Sequence, residues 1–255
     1  MRKLTLLDWK SSKGYYPEMA MQVCAYGRAY NIKAKASGDP IVERLGVLRL
    51  DKKTGLPEYH DCTDGEQARW EGFCGLLAYY HAMVTPTITE RSRDRFYKEG
   101  TLSGPSVTTV LGCLNKPALV QWSANCSVEF IKDHMDEILG GGASEERIDQ
   151  ILKKAKTAHR TVSKGALDVG SIVHDAIETY LKGGDPEPII GDVAQAQTAF
   201  EAFVEWKITT KFEPVGLECR VFHPTLLYGG TFDFVGYLDL ADPVVDNPKQ
   251  KEESK

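Results

Sequence analysis

Apolar residues recur along this chain at two periods, and the two periods divide it into strands and helices. Residues 3–9 are rich in Leu and Thr and read as a strand, closed by a turn at Ser11-Ser12-Lys13-Gly14. Pro17-Glu18 then opens a helix to about Tyr30, with proline and acid in the favoured first turn. Gly38-Asp39-Pro40 breaks a polar stretch over 31–43. Gly46–Leu50 and Leu56–His60 alternate around Lys52-Lys53-Thr54-Gly55 as a hairpin would. Asp64 is a candidate N-cap for a helix to about Met83, in which Trp70, Phe73, Cys74, Leu77 and Tyr80 share helical spacing. Periodicity is lost over 84–104, which reads as a connector. Ser106 sits where it would cap a short helix over Val107–Leu111. Helical patterns continue to about Leu139, Gly140-Gly141-Gly142 breaks them, and Ser144-Glu145-Glu146 starts another helix. The strongest helical stripe is Val169, Ile172, Val173, Ala176, Ile177, Tyr180 and Leu181, ended by Gly183-Gly184-Asp185-Pro186. A helix near 192–210 leads to strands at about 214–222 and 228–239, and the tail from Ala241 is charged and expected to be mobile. The whole is a mixed α/β chain.

Composition narrows the class. The 255 residues carry 42% hydrophobic and 26% charged side chains, ordinary for a globular protein. No apolar run is long enough to span a bilayer, so no membrane partner is expected. None of the six cysteines stands in a C-x-x-C pair, which argues against a zinc ribbon or a compact iron–sulfur motif. Reduced core thiols in a cytosolic compartment fit better. The net charge of −5 argues against passive coating of DNA, though not against an acidic metal-dependent site. Two local basic stretches, Arg91-x-Arg93-x-Arg95 with Lys98 and Lys153–Lys164, read either as solvated faces or as phosphate contacts.

Against that acidic background, a few polar residues stand out on apolar elements. Asp8 and Lys10 are two apart on the first strand and share a face, with Leu7 and Trp9 on the other. Asp233 interrupts the last strand between Phe232 and Phe234, where alternation sets it opposite the rings. His174 borders the strong helical stripe, with Glu178 one turn on. Glu218 lies on the strand before, on the face of Arg220 and Phe222, with solvent as its alternative environment. Gln22 and Tyr26 are i,i+4 on the helix that follows the Asp8 strand. Carboxylates beside an amine and an imidazole suit phosphodiester hydrolysis. That reaction needs a hydroxide and charge neutralisation at phosphorus, which Mg²⁺ or Mn²⁺ on carboxylates can supply. A lysine can orient or deprotonate the water.

Taken with their neighbours, these residues resemble the PD-(D/E)xK nuclease superfamily, in its RecB-like and phage-type exonuclease branch. The segments that carry the likeness are Pro105–Leu111, Gly170–His174, Leu217-Glu218, Gly230–Asp233, Leu7–Lys10 and Gln22–Tyr26. The resemblance implies a restriction-endonuclease-like α/β fold: a mixed central sheet flanked by helices, in a single nuclease domain over 1–240. It implies His174, Asp233, Asp8 and the Trp9 carbonyl as ligands of Mg²⁺ or Mn²⁺, Lys10 as the catalytic lysine, and Glu218 as a supporting carboxylate. Gln22 and Tyr26 would match a Q-x-x-x-Y motif, and Ser106 and Thr108 would lie near the DNA path. The implied activity is a deoxyribonuclease, most simply an exonuclease on DNA ends or single strands, in a bacterial or phage-infected cell and beside other recombination proteins. A silent DNA-binding module and a structure-selective endonuclease are the alternatives. The order of segments departs from the family: residues 1–83 resemble its C-terminal part and 105–240 its N-terminal part. The chain thus looks circularly permuted. Asp8 and Asp233 should then lie on adjacent strands, about 4.8 Å apart, either within one chain or by a domain swap between copies.

Overall fold

The computed structural model describes residues 2–12, 14–83, 95–114, 116–140 and 144–239. The expected tail over 241–255, most of the connector, and Arg91 and Arg93 lie outside the described residues. Within them a five-stranded mixed sheet is flanked by helices, an α/β architecture. Residues 1–240, expected as one domain, part into two compact units. The first comprises the described parts of 1–113 and 173–255, and the second is 114–172.

The first unit holds the sheet, in the order β3-β2-β1-β7-β6. Strand β1 (Lys3–Lys10) pairs in parallel with β2 (Arg44–Leu50), across the crossover helix α1 (Pro17–Ser37). β2 forms the expected hairpin with β3 (Pro57–Asp61). On its other side β1 pairs antiparallel with β7 (Tyr228–Leu238), from Lys3 opposite Leu238 to Leu7 opposite Phe234. β7 in turn pairs with β6 (Glu213–His223), with a register shift between Pro214 and Gly216. The strands at the two ends of the described chain are therefore neighbours at the centre of the sheet, and β1 meets β7 within one chain.

Burial explains these elements. Leu4, Leu6 and Leu7 are at most 3% exposed, as a strand covered on both faces requires. Helix α1 runs seven residues beyond the expected end at Tyr30. Only Ala34 is buried in its last turns, so no apolar stripe marks them, yet Lys and Ala residues favour the helix there. Gly38 at φ 78° closes it, its amide donating to the Ala34 carbonyl. Helix α2 (Glu66–Met83) starts after Gly65 at φ 76°, which leaves Asp64 outside the capping position expected of it. Phe73 of α2 packs edge-on against Tyr228, ring centres 4.9 Å apart.

Part of the expected connector is ordered structure. Residues 96–105 form a small antiparallel hairpin, β4 (Phe96–Glu99) and β5 (Leu102–Pro105), lying on β7. Gly104 allows that approach: a Cβ there would stand 1.8 Å from the Leu227 carbonyl oxygen. Helix α3 (Val107–Leu111) follows, capped by Ser106 as expected.

The second unit is helical. It holds α4 (Pro117–Asp133), α5 (Met135–Leu139), α6 (Glu145–Ala155) and the first part of α7 (Ala158–Leu181). Ile151 and Ala155 of α6 are buried, and Ser144 caps that helix by accepting from the Arg147 amide at 3.3 Å. α7 starts eight residues before the expected Ala166, and its last turns, from Val173, belong to the first unit. There α8 (Glu187–Ile190) and α9 (Ala194–Thr209) complete the chain's helices, and α9 sends Phe203 and Trp206 into the core. Among the described residues no helix is long and apolar enough to cross a membrane. None of the six cysteines forms a disulfide.

Candidate metal centre

Asp8 and Asp233 come from neighbouring strands that stop pairing where the two carboxylates begin. The last paired residues are Leu7 and Phe234. Beyond them the Asp233 carboxylate takes over the ladder, its Oδ2 accepting from the Trp9 backbone N–H at 2.7 Å. The side chain thus closes a strand end that would otherwise leave a buried donor unpaired. Phe232 and Phe234 are both fully buried, while Asp233 is only partly covered. The rings do not share one packing cluster, however. Phe232 meets Tyr26 and Tyr30, whereas Phe234 meets Trp9, Phe203 and Phe212.

Glu218 reaches the same place by breaking its strand. Its φ is 47°, in the left-handed region that a side chain with a Cβ adopts only under constraint. Simple alternation with Arg220 and Phe222 therefore does not describe it. Its Oε1 lies 2.8 Å from His174 Nε2 rather than in open solvent. The same Nε2 lies 3.2 Å from Asp233 Oδ1. α7 holds the imidazole there, with the Trp9 ring edge-on at 5.2 Å. His174, Glu218 and Asp233 each offer one ligand atom, and these atoms all lie within 4.8 Å of one another. His174, Asp175 and Glu178 form a second such group on one helix face. Asp175 carried no signal in the sequence beyond its place next to His174.

Charge in this cluster is balanced by protons. The hydrogen bond to Asp233 raises His174 to about 9, against burial, with Glu218 and Asp175 adding to the rise. Burial lifts Asp8 to about 6; Lys10 opposes this and Asp233 adds to it. Burial also raises Glu218. Lys10 lies 2.5 Å from Asp8 Oδ2. Burial alone would lower the Lys10 pKa, but the Asp8 and Asp233 charges outweigh it and raise it. An imidazolium and an ammonium therefore stand among three carboxylates. The donor set suits a hard divalent cation: carboxylate oxygens and one imidazole, with no thiolate, crowded enough to need positive charge.

The remaining expected residues divide. Gln22 and Tyr26 are buried, and Gln22 Nε2 donates to the Tyr26 hydroxyl at 3.0 Å. Burial, and then the Asp8 charge, raise the pKa of that hydroxyl. Ser106 lies beside β7, bridged to Gly229, and its buried hydroxyl is committed to the α3 cap, accepting from the Thr109 amide at 3.0 Å. Thr108 is exposed. Two residues given no role from sequence also stand here. The Tyr97 hydroxyl is 3.1 Å from Thr231 Oγ1, and the Arg220 guanidinium lies 5.3 Å above the Tyr97 ring.

No family model matches the sequence, and no curated protein or solved structure was found to be similar to it. Function therefore rests on the site itself.

Proposed function

We propose that the chain is a divalent-metal-dependent deoxyribonuclease of the PD-(D/E)xK kind, in circularly permuted order, that hydrolyses phosphodiesters from DNA ends or single strands. The observation that carries this reading is the convergence of His174, Glu218 and Asp233, from α7, β6 and β7, on one set of ligand atoms, with the Asp8–Lys10 pair of β1 beside them though Asp8 is outside that set. A permuted restriction-endonuclease-like sheet would have the Asp-x-Lys strand beside the Asp233 strand, and β1 pairs with β7.

In this reading Asp233, Asp8, His174 and the Trp9 carbonyl hold Mg²⁺ or Mn²⁺, with Glu218 in support. When bound, the ion supplies positive charge at the phosphoryl oxygens and makes a nearby water more acidic. The chain's own groups do the rest. Lys10, kept protonated by Asp8 and Asp233, contributes a fixed positive charge where the pentavalent phosphorus gathers negative charge. Because it is held as an ammonium, it positions a water rather than taking its proton. His174 must lose its proton to present Nε2 to a cation, so its proton and the metal compete for one place. Tyr26, oriented by Gln22, offers a hydroxyl donor at the edge of the cluster.

The test is digestion of end-labelled single-stranded DNA by wild type and Lys10→Ala, with Mg²⁺, with Mn²⁺ and with EDTA. Metal-dependent release of label by wild type, and a loss of about 10²-fold or more in the variant, is the expected result. No release under any condition with DNA binding retained would point to a silent binding module. Equal cutting of closed circles would point to an endonuclease.

A further inference from the structure

The acidic cluster must receive a polyanion, yet the cations nearest to it are already engaged. Lys10 pairs with Asp8, His174 with Glu218 and Asp233, and Lys182 with Glu178. Arg220 is different. It is exposed, and among the described residues no carboxylate pairs with it. Its contacts are a hydrogen bond from Nη2 to the Lys98 carbonyl at 2.7 Å and the Tyr97 ring beneath its guanidinium.

Its position is set by the sheet. Arg220 is the register partner of Thr231, and Thr231 is two residues from Asp233 along β7. Two residues of strand span about 6.6 Å, comparable to the step between neighbouring phosphates on one DNA strand. Tyr97 fixes the guanidinium from below. Its hydroxyl is tied to Thr231, and its Cβ packs so closely on Gly229 that a methyl there would lie 2.5 Å away. One nitrogen of the fork is used on Lys98, and the others remain for a ligand. A guanidinium over an aromatic face is attracted by the ring, and its planar fork of donors suits phosphate oxygens.

We propose that Arg220, held over the Tyr97 ring, seats a phosphate of the substrate strand adjacent to the scissile one. Arg220 is then a substrate-binding residue, and Tyr97 positions it. The proposal rests on the nuclease reading above and deepens it by naming where the neighbouring nucleotide is held. It also gives the β4–β5 hairpin a purpose, since that hairpin brings both Tyr97 and the Lys98 carbonyl to the site.

The test measures kcat and KM for Mg²⁺-dependent hydrolysis of labelled single-stranded DNA across a series of NaCl concentrations. The proteins are wild type, Arg220→Ala and Arg220→Lys, with melting temperatures recorded for each. Loss of one phosphate contact should raise KM by about tenfold at moderate salt. It should also make the log–log salt dependence of kcat/KM shallower by about 0.7. Arg220→Lys keeps the charge and should keep the salt slope, with KM raised by less than in Arg220→Ala. If Arg220→Ala leaves KM unchanged, or raises it with the salt slope unaltered, Arg220 only anchors the hairpin and the proposal fails, whatever happens to the melting temperature. If wild type hydrolyses nothing in Mg²⁺ or Mn²⁺, the nuclease reading itself fails, a result distinguishable from the former.

Discussion

Protons held by Asp8 and His174 set how the metal-free site should respond to pH. Asp8 titrates near 3.8 in an unfolded chain and about 6 when folded. Below about pH 4 both states bind the proton. Between 4 and 6 the unfolded chain releases it first, so folding loses stability as pH rises through that window, on the order of 3 kcal/mol. His174 moves from 6.5 to about 9 and acts in the same direction at higher pH: its contribution is complete below 6.5 and lost as pH passes 9. Asp51 has the opposite sign. Backbone donors from Lys53 and Thr54, and then Arg49, lower it to about 2, so its contribution disappears only in strong acid. In EDTA the stability difference between wild type and Asp8→Asn should therefore change between pH 4 and 6, with wild type losing ground to the variant as pH rises. Denaturant titrations at several pH values measure it. A difference that stays constant across that window would show that Asp8 does not carry the buried proton assigned to it.

At the scale of the elements, what the sequence showed depended on whether a face was buried. β1, β2, β6 and β7 were readable because short runs rich in apolar residues, bounded by turns, mark strands under packing. The end of α1 was not, because among residues 31–37 only Ala34 is buried and their helical order comes from propensity and the Gly38 cap. The β4–β5 hairpin escaped for the same reason: its strands are four residues each and largely exposed. Glu218 shows a different limit. Nothing in its residue type signals a left-handed φ, so its turn toward His174 follows only from the three-dimensional strand. Asp8, Lys10, His174 and Asp233 could be found because each interrupts or borders an apolar pattern, whereas Tyr97 lies in a short exposed strand and Arg220 read as a solvent-facing residue of its strand. The hairpin's docking depends on Gly104, whose backbone meets Leu227 and Tyr228 with no room for a methyl. Because the obstruction is backbone, no side-chain rotation relieves it. Gly104→Ala should destabilise the protein by about 1–3 kcal/mol, read by urea denaturation, and should speed amide exchange over 96–105 more than in β1. Wild-type stability with unchanged exchange would mean that the hairpin is not seated as described.

At the scale of the whole molecule, the decisive relation is that β1 and β7 are sheet neighbours although 217 residues separate Lys10 from Tyr228 in sequence number. Lys3 pairs with Leu238, Arg2 bonds Glu213, and the Asp239 amide donates to the Thr210 carbonyl, so the two ends of the described chain are held side by side. Between strands so paired, a turn of two to five residues is the usual link. If the order is a permutation of a single scaffold, the site belongs to the sheet rather than to the place where the chain is open. A chain in which Asp239 is joined to Arg2 by a short Asn-Gly turn, and which is opened between 83 and 95, keeps every strand pair that positions Asp8, Lys10, Glu218 and Asp233. The link turns the long-range β1–β7 pairing into a local hairpin, which lowers the loop-closure cost of forming it. The rejoined protein should fold with stability within about 1 kcal/mol of the original or above it, and, on the proposed function, should match the starting chain in the metal-dependent DNA assay. Circular dichroism melts and the labelled-DNA assay test both halves. A rejoined chain that folds but has lost activity would mean that an open end at β1 takes part in the reaction. One that cannot fold would mean that the β1–β7 pairing is not the architecture's centre.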